Sequence, residues 1–219
     1  MAELLWDAVG ERYYETGIDK VALYVLENKV YPKGVAWNGI TAITESPSGA
    51  ESTPLFADNT KYLNLISAEE LNLTIEAYQS PVEFDACDGT ASPVAGLNIG
   101  QQDRKTFGLA YRTLIGNDTE GTSHGYALHL IYGCLAAPSE KAYNTVNDSP
   151  EAATLSWEVS TTPVTVTGYK PTSSLVIDST KVDKEKLTAL EAVLFGSSDK
   201  DASLPMPDEV IAILKGQAA

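Results

Sequence analysis

The sequence predicts a mainly β fold: a β-sandwich or barrel flanked by one or two α-helices, with long loops and terminal arms. Three observations predict it. Residues 71–78 and 154–162 alternate apolar and polar side chains with period two, which gives a strand one buried and one wet face. Residues 21–26 (VALYVL) and 126–136 (YALHLIYGCLA) are nearly unbroken apolar runs, as in strands covered on both sides. Helical periodicity enters only after Lys181, so nothing alternates strand with helix to build a parallel sheet.

At 219 residues the chain fits a single domain, 1–219, long enough to bury a sizeable core. Within it, 1–17 reads as an N-terminal arm, 45–61 as a long loop and 181–219 as a C-terminal helical segment. No apolar run is long enough to span a membrane. The opening MAELLWDAVGERYY has neither a basic region nor an apolar core before a cleavage site, so the expectation is synthesis and assembly in the cytoplasm, with no membrane partner. The triplets at Asn72, Asn117 and Asn147 fit the glycosylation pattern, which without a secretory signal has no meaning.

The formal net charge is −15, from 30 acidic and 15 basic residues. That excludes a surface made to hold nucleic acid by neutralising phosphates, but not DNA passing without being gripped. Solvation alone also accounts for such a balance. Cys87 and Cys134 lie far apart, fit no metal spacing and read as two buried free thiols.

Taken in order, 1–17 could hold one helical turn through Leu4, Leu5 and Val9, stopped by Gly10. A frayed terminus is the plainer reading; Trp6, Tyr13 and Tyr14 favour docking, because such aromatics are unusual in a purely disordered tail. The strand 21–26 turns at Asn28 and Lys29 into a second strand from Tyr31, in which Val35, Trp37 and Thr41 share a face. From Glu45 the chain becomes polar and contains Ser46-Pro47-Ser48-Gly49. Proline and glycine cannot sit in a central strand, so 45–53 reads as loop, and a loop this long is either functional or disordered. Leu55 and Phe56 at its far end look like an apolar anchor.

Next come a strand at 62–67, a tight turn at Ala68–Glu69, and the alternating strand 71–78. Ser80, Pro81 and Glu83 suggest a short helix over 81–87, followed by a loop over 89–103. Residues 106–115 and 126–136 pair as a long hairpin through the polar connection 117–125, and the second is the central strand. After a polar loop at 138–153 come strands at 154–162, 164–169 and 175–177. A helix over 183–195 carries Leu187, Leu190, Val193 and Leu194 on one stripe and stops at Gly196. A second opens at Pro207 with Asp208 and Glu209 in its first turn and runs to Leu214.

The sequence carries no catalytic constellation, cofactor fingerprint or metal motif, and the reading is not an enzyme. His124 and His129 are the only histidines, with no nucleophile-elbow pattern beside them. His129 reads as a half-buried strand residue, and a metal on His129 and Cys134 would need a third ligand from elsewhere. The acidic clusters 118–120 and 199–201 lack the calcium-loop pattern.

The pieces GVAWNGITAITESPSGAE and LFADNTKYLNL, together with SPVEFDACDG, IGQQDRKTFGLAYRTLIGND, ALEAVLFGSSD and PMPDEVI in that order, resemble the major tail protein, or tail tube protein, of long-tailed bacteriophages. The resemblance covers most of the chain. It implies a β-sandwich subunit that closes into hexameric rings, stacked into the tube through which DNA leaves the virion. It implies as partners further copies of the chain, the tape measure, terminator and distal tail proteins, and double-stranded DNA passing through the lumen without specific binding. Six subunits giving four strands each would close a barrel of about 24 strands, roughly 45–50 Å across the backbone at the usual spacing and tilt. An acidic lumen would repel the duplex rather than hold it. Long loops and arms join neighbours in such a tube, which makes Ser46, Pro47, Ser48, Gly49, Leu55, Phe56 and Trp6 the candidate inter-subunit contacts. A carbohydrate-binding or adhesin-like β-sandwich is the competing reading, although Trp37 and Trp157 occupy apolar-face positions that argue for core packing. The inner tube of a contractile or tail-derived particle would share the fold.

Overall fold

The computed structural model describes residues 4–143, 145 and 152–216. The strands in chain order are β1 (Tyr13–Val25), β2 (Gly34–Ala36), β3 (Ile40–Gly49), β4 (Ser52–Ala57), β5 (Thr60–Ile66), β6 (Glu69–Ala77), β7 (Ala91–Val94), β8 (Leu97–Ile99), β9 (Phe107–Asn117), β10 (Gly121–Ala136), β11 (Leu155–Thr161) and β12 (Ser174–Asp178). Two helices close the chain, α1 (Lys184–Leu194) and α2 (Pro207–Lys215). The main sheet is antiparallel and runs β2-β1-β9-β10-β11-β6-β3, with β12 also on β10.

The organising feature is β10, the central strand that its apolar run predicts. One edge pairs with β9 from Gly121 to Cys134. The other is shared: β12 takes Ala127 to Ile131, and β11 takes Cys134 to Ala136. The handover falls at Gly133, whose φ is +64° and where an added Cβ would collide with the Thr162 carbonyl oxygen. Only glycine fits that bend. Beyond it, β11, β6 and β3 fold back across one face of β1, β9 and β10 as a second layer.

The β1-β9-β10 sheet is therefore buried on both faces. One face holds Leu23, Phe107, Leu109 and Ile131 against Leu73 and Ile75 of β6 and Trp157 and Val159 of β11. At its centre Phe84 sits 4.5 Å from Trp37, 5.2 Å from Trp157 and 5.4 Å from Phe107, ring centroid to centroid. The other face holds Tyr24, Ala110, Leu128, Leu130 and Tyr132 against Leu187, Leu190 and Leu194 of α1 and Val210 of α2. The tyrosine hydroxyls there are not orphaned: Tyr24 donates to the Leu194 carbonyl at 2.7 Å and Tyr132 to that of Pro205 at 3.0 Å. Double coverage explains why these strands read as apolar runs rather than alternations.

α1 is capped by Asp183, whose carboxylate accepts from Glu185 N at 3.0 Å and Lys186 N at 3.4 Å. Asp183→Ala should destabilise the protein by about 0.5–2 kcal/mol, read as a lower midpoint in urea with an unchanged slope. A midpoint within error of the parent's would show that α1 is held by its apolar stripe alone.

Several expectations need correction. Leu4 to Gly10 form no helical turn, and β1 begins at Tyr13, so the arm is shorter than 1–17. The strand expected from Tyr31 into the 40s is two strands, β2 and β3, broken by a turn at Asn38–Gly39. The segment expected to be loop over 45–53 is the outer half of β3 and the start of β4. The tight turn expected at Ala68–Glu69 is a short irregular link at 67–68, and Glu69 already opens β6. The short helix at 81–87 is a 3-10 turn at Val82–Phe84 with no side-chain cap from Ser80. The loop 89–103 contains the hairpin β7–β8. The connection after β9 is tighter than 117–125, because β10 begins at Gly121. In place of a strand at 164–169 there is one bridge, Val164 to Thr172. Part of the polar loop 138–153, with Asn147, lies outside the described residues.

Candidate functional site

β3 and β6 pair out to Gly49 and Glu69, and β4 and β5 then continue the ribbon from Ser52–Ile66 to Ala57–Thr60. Together they make one long hairpin arm. Its inner half belongs to the body: Ile40 and Ile43 pack on the core, and Leu73 and Ile75 are buried. Its outer half touches little, and every residue of β4 and β5 is exposed.

The local sequence dictates this shape. Asp58 and Asn59 at the tip have φ of +50° and +62°, the two-residue turn whose twist matches paired strands. Pro47 lies on β3, the last strand in the sheet order, and an edge strand tolerates a missing N–H. Gly49, at φ +83°, packs so closely on the Ala68 carbonyl that a Cβ would collide with it, and there the ribbon changes from β3–β6 to β4–β5.

The arm carries an apolar load. Leu55 lies opposite Leu63 with Leu65 beyond it. A register shift after Leu55 adds Tyr62, and Phe56 and Ile66 are 69 % and 71 % exposed. An isolated two-stranded ribbon is marginal in water, and a cluster of exposed large apolar side chains on one marks a contact surface.

The structure therefore places six of the seven candidate contact residues, Ser46, Pro47, Ser48, Gly49, Leu55 and Phe56, on this one arm. Trp6 is elsewhere. It is 77 % exposed, beside Leu4, Leu5 and Val9, on a segment held at the β9–β10 turn by Gly10 N–H donating to Asp118 at 2.9 Å and Asn117 Nδ2 donating to the Gly10 carbonyl at 3.3 Å. Tyr62, Leu63, Leu65 and Ile66 were not among the candidates. The signal that could have found them is Asp58-Asn59 between two apolar-rich runs of matching length.

At the root of the arm is a polar cluster. The Tyr111 hydroxyl donates to Glu45 Oε1. His129 stacks flat on Tyr111, centroids 4.7 Å apart. Its Nδ1 is buried, makes no hydrogen bond of good geometry, and lies 3.4 Å from Glu45 Oε1. Its Nε2 is 3.0 Å from the Thr113 hydroxyl. The His129 contact, with the Tyr111 bond, holds the Glu45 carboxyl below its ordinary pKa against the opposing effect of burial. Thr113, His129 and Glu45 fall in the order of a nucleophile, base and acid. Thr113, however, lies inside β9 opposite Ala127, not at a turn where free N–H groups could receive a developing oxyanion.

The thiols are free and buried; burial pushes Cys87 up to about 12 and Cys134 higher still, which removes thiolate chemistry at neutral pH. Among the described residues no group of three or more His, Cys, Asp or Glu side chains could hold a metal ion, and no helix is long and apolar enough to cross a membrane.

No family model matches the chain, and no curated protein matches it. Solved structures that match include a chain of the six-fold symmetrised cryo-EM structure of the anti-feeding prophage (AFP) baseplate, at 12 % identity and a TM-score of 0.34, covering 82 % of this chain and 100 % of that one.

Proposed function

We propose that this chain is a structural subunit of a phage-type tail tube, assembling as hexameric rings that stack into a conduit for DNA. The observation that carries the reading is the arm: a ribbon of exposed strands bearing Leu55, Phe56, Tyr62, Leu63, Leu65 and Ile66, which a monomer leaves in water. Burying such a side chain is worth about 1.5–3 kcal/mol, before the cost of ordering. Repeated at every subunit of a ring, that contact favours stacking. The resemblance of its sequence pieces, in order, to tail tube proteins, and a mainly β body with two helices, support the same reading. The acidic balance fits a lumen that passes DNA without holding it. In this reading the protein resides in the virion tail, is assembled in the host bacterial cytoplasm, and meets the tape measure, terminator and distal tail proteins.

The sugar-binding alternative loses its best residues. Trp37 and Trp157 are 3 % and 1 % exposed and cannot stack on a ligand.

Sedimentation and negative-stain microscopy across a wide concentration range are the test. Rings of six or stacked tubes are expected, and those tubes should retain no duplex DNA even at low salt, where a basic lumen would bind most tightly. Monomer under every condition, alone and beside tail partners, would remove the proposal.

A further inference from the structure

The arm has a definable root. Along β3, Ile40 and Ile43 pack on the core and every residue from Thr44 outward is exposed. Along β6 the buried residues end at Leu73, the cross-strand partner of Glu45. Glu45, although on the exposed part of its strand, still reaches the body through its side chain. What it touches is the other layer: Tyr111 on β9 and His129 on β10. On the far side of the root an open cleft of about 290 Å³ separates Glu45, Pro47, Glu69 and Leu71 from Pro163 and Thr172. A ribbon with a polar contact on one side and open space on the other can swing about that contact.

We infer that Glu45 and His129 form a clasp that sets the direction in which the arm leaves the body, so that Glu45 is a positioning residue for the contact surface at the tip. The inference rests on the arm being that surface. Its geometry is a chain across three strands: Glu45 carboxylate on β3, the stacked Tyr111 and His129 rings on β9 and β10, and the Thr113 hydroxyl behind His129 Nε2. The flat stack on Tyr111 and the Thr113 hydroxyl 3.0 Å from Nε2 fix the ring's orientation, with Nδ1 facing the carboxylate. Thr161 on β11 holds the β6 side of the root, its hydroxyl donating to the Leu71 carbonyl at 2.7 Å. The two strands of the ribbon are therefore tied down separately, and only the β3 tie carries charge.

The charged or titratable groups around Glu45 are His129 from β10, Tyr111 from β9 and, lining the same cleft, Glu69 from β6; Glu15 of β1 reaches Thr113 at 3.5 Å. Because Glu45 titrates below its ordinary value in the folded protein, the clasp is complete above the ordinary carboxylate range and is lost as pH falls through the lowered value.

The test uses the monomer, so it does not depend on tubes forming. In Glu45→Ala, amide hydrogen exchange at Ser46, Ser48, Gly49 and residues 69–72 should quicken about tenfold, while β9 and β10 keep their protection. Glu45→Gln keeps an acceptor for Tyr111 but loses the charge. In the parent protein the amide NMR shift of Ser46, whose cross-strand partner is Asn72, should move as pH is lowered below the ordinary carboxylate range, and in Glu45→Gln that movement should be lost. His129→Gln, a second route to the same loss, should quicken exchange at the same amides. Unchanged exchange in both Glu45→Ala and His129→Gln would overturn the inference. So would protection lost equally across β9 and β10, which would make Glu45 part of the core, or an identical pH profile in Glu45→Gln. If the clasp behaves as stated but no variant or parent forms tubes, the tail-tube reading fails and the clasp stands.

Discussion

Joining Gly49 to Glu69 through a two-residue turn, which deletes β4 and β5, should leave a folded monomer and abolish stacked tubes. Gly49 and Glu69 are cross-strand partners, so a tight turn can close β3 onto β6 there. The deleted residues of both strands are exposed and contribute nothing to either core cluster. The thermal midpoint should therefore move by no more than about 2–4 °C, the shift that 1 kcal/mol produces in a chain of this size. Replacing only 46–56 would be a poorer experiment, because it removes half of β3 from β6 and leaves β5 without a partner. Normal tubes from the shortened protein would make the arm decoration. A monomer that melts far below the parent would make the arm part of its own subunit's core.

Phe84→Ala should have the largest effect on the isolated subunit. Phe84 is fully buried and its ring contacts Trp37, Trp157 and Phe107. It sits on the short 3-10 turn Val82–Phe84. Truncating a buried phenylalanine costs about 3–5 kcal/mol, the transfer loss plus the cavity left behind. A midpoint lowered by roughly 6–20 °C in calorimetry is expected. A fall of less than about 3 °C would mean that the three neighbouring rings repack freely.

The two predictions bracket what the sequence could disclose. The core was legible because its signal is local. VALYVL and YALHLIYGCLA show double coverage directly, and Leu155, Trp157 and Val159 alternate as a one-sided strand must. Leu187, Leu190 and Leu194 mark the buried side of α1 in the same way. The arm was misread because its rule is positional. Ser-Pro-Ser-Gly is incompatible with a central strand and acceptable in an edge strand, and nothing within the segment says that β3 has only one neighbour. The hairpin β7–β8 was missed for a related reason: its strands are too short for a period to show. The clasp was beyond reach. Glu45 and His129 are joined by the folding of one layer over another, and no spacing in the chain encodes a contact between residues so far apart. Of the candidate contact residues, Leu55 and Phe56 lie on the exposed ribbon, while Trp6 lies on a different surface.

The sheet order has a kinetic consequence. β1 lies between β2 and β9, so its long ladder must wait for residues 107–117. β6, which carries the arm, pairs on its inner edge with β11, at 155–161. During synthesis the apolar ribbon emerges early and spends much of elongation without the platform that holds it. A topology so dominated by distant pairings folds slowly, and exposed strand edges invite premature association while it does. The body closes only when β11, β12 and α1 have all left the ribosome, which makes completion of the C-terminal half the step that releases a folded protein. Copies translated side by side on one message would be most exposed to sticking before that point, and slowing translation between β6 and β11 should raise the aggregated fraction without changing the stability of the finished protein.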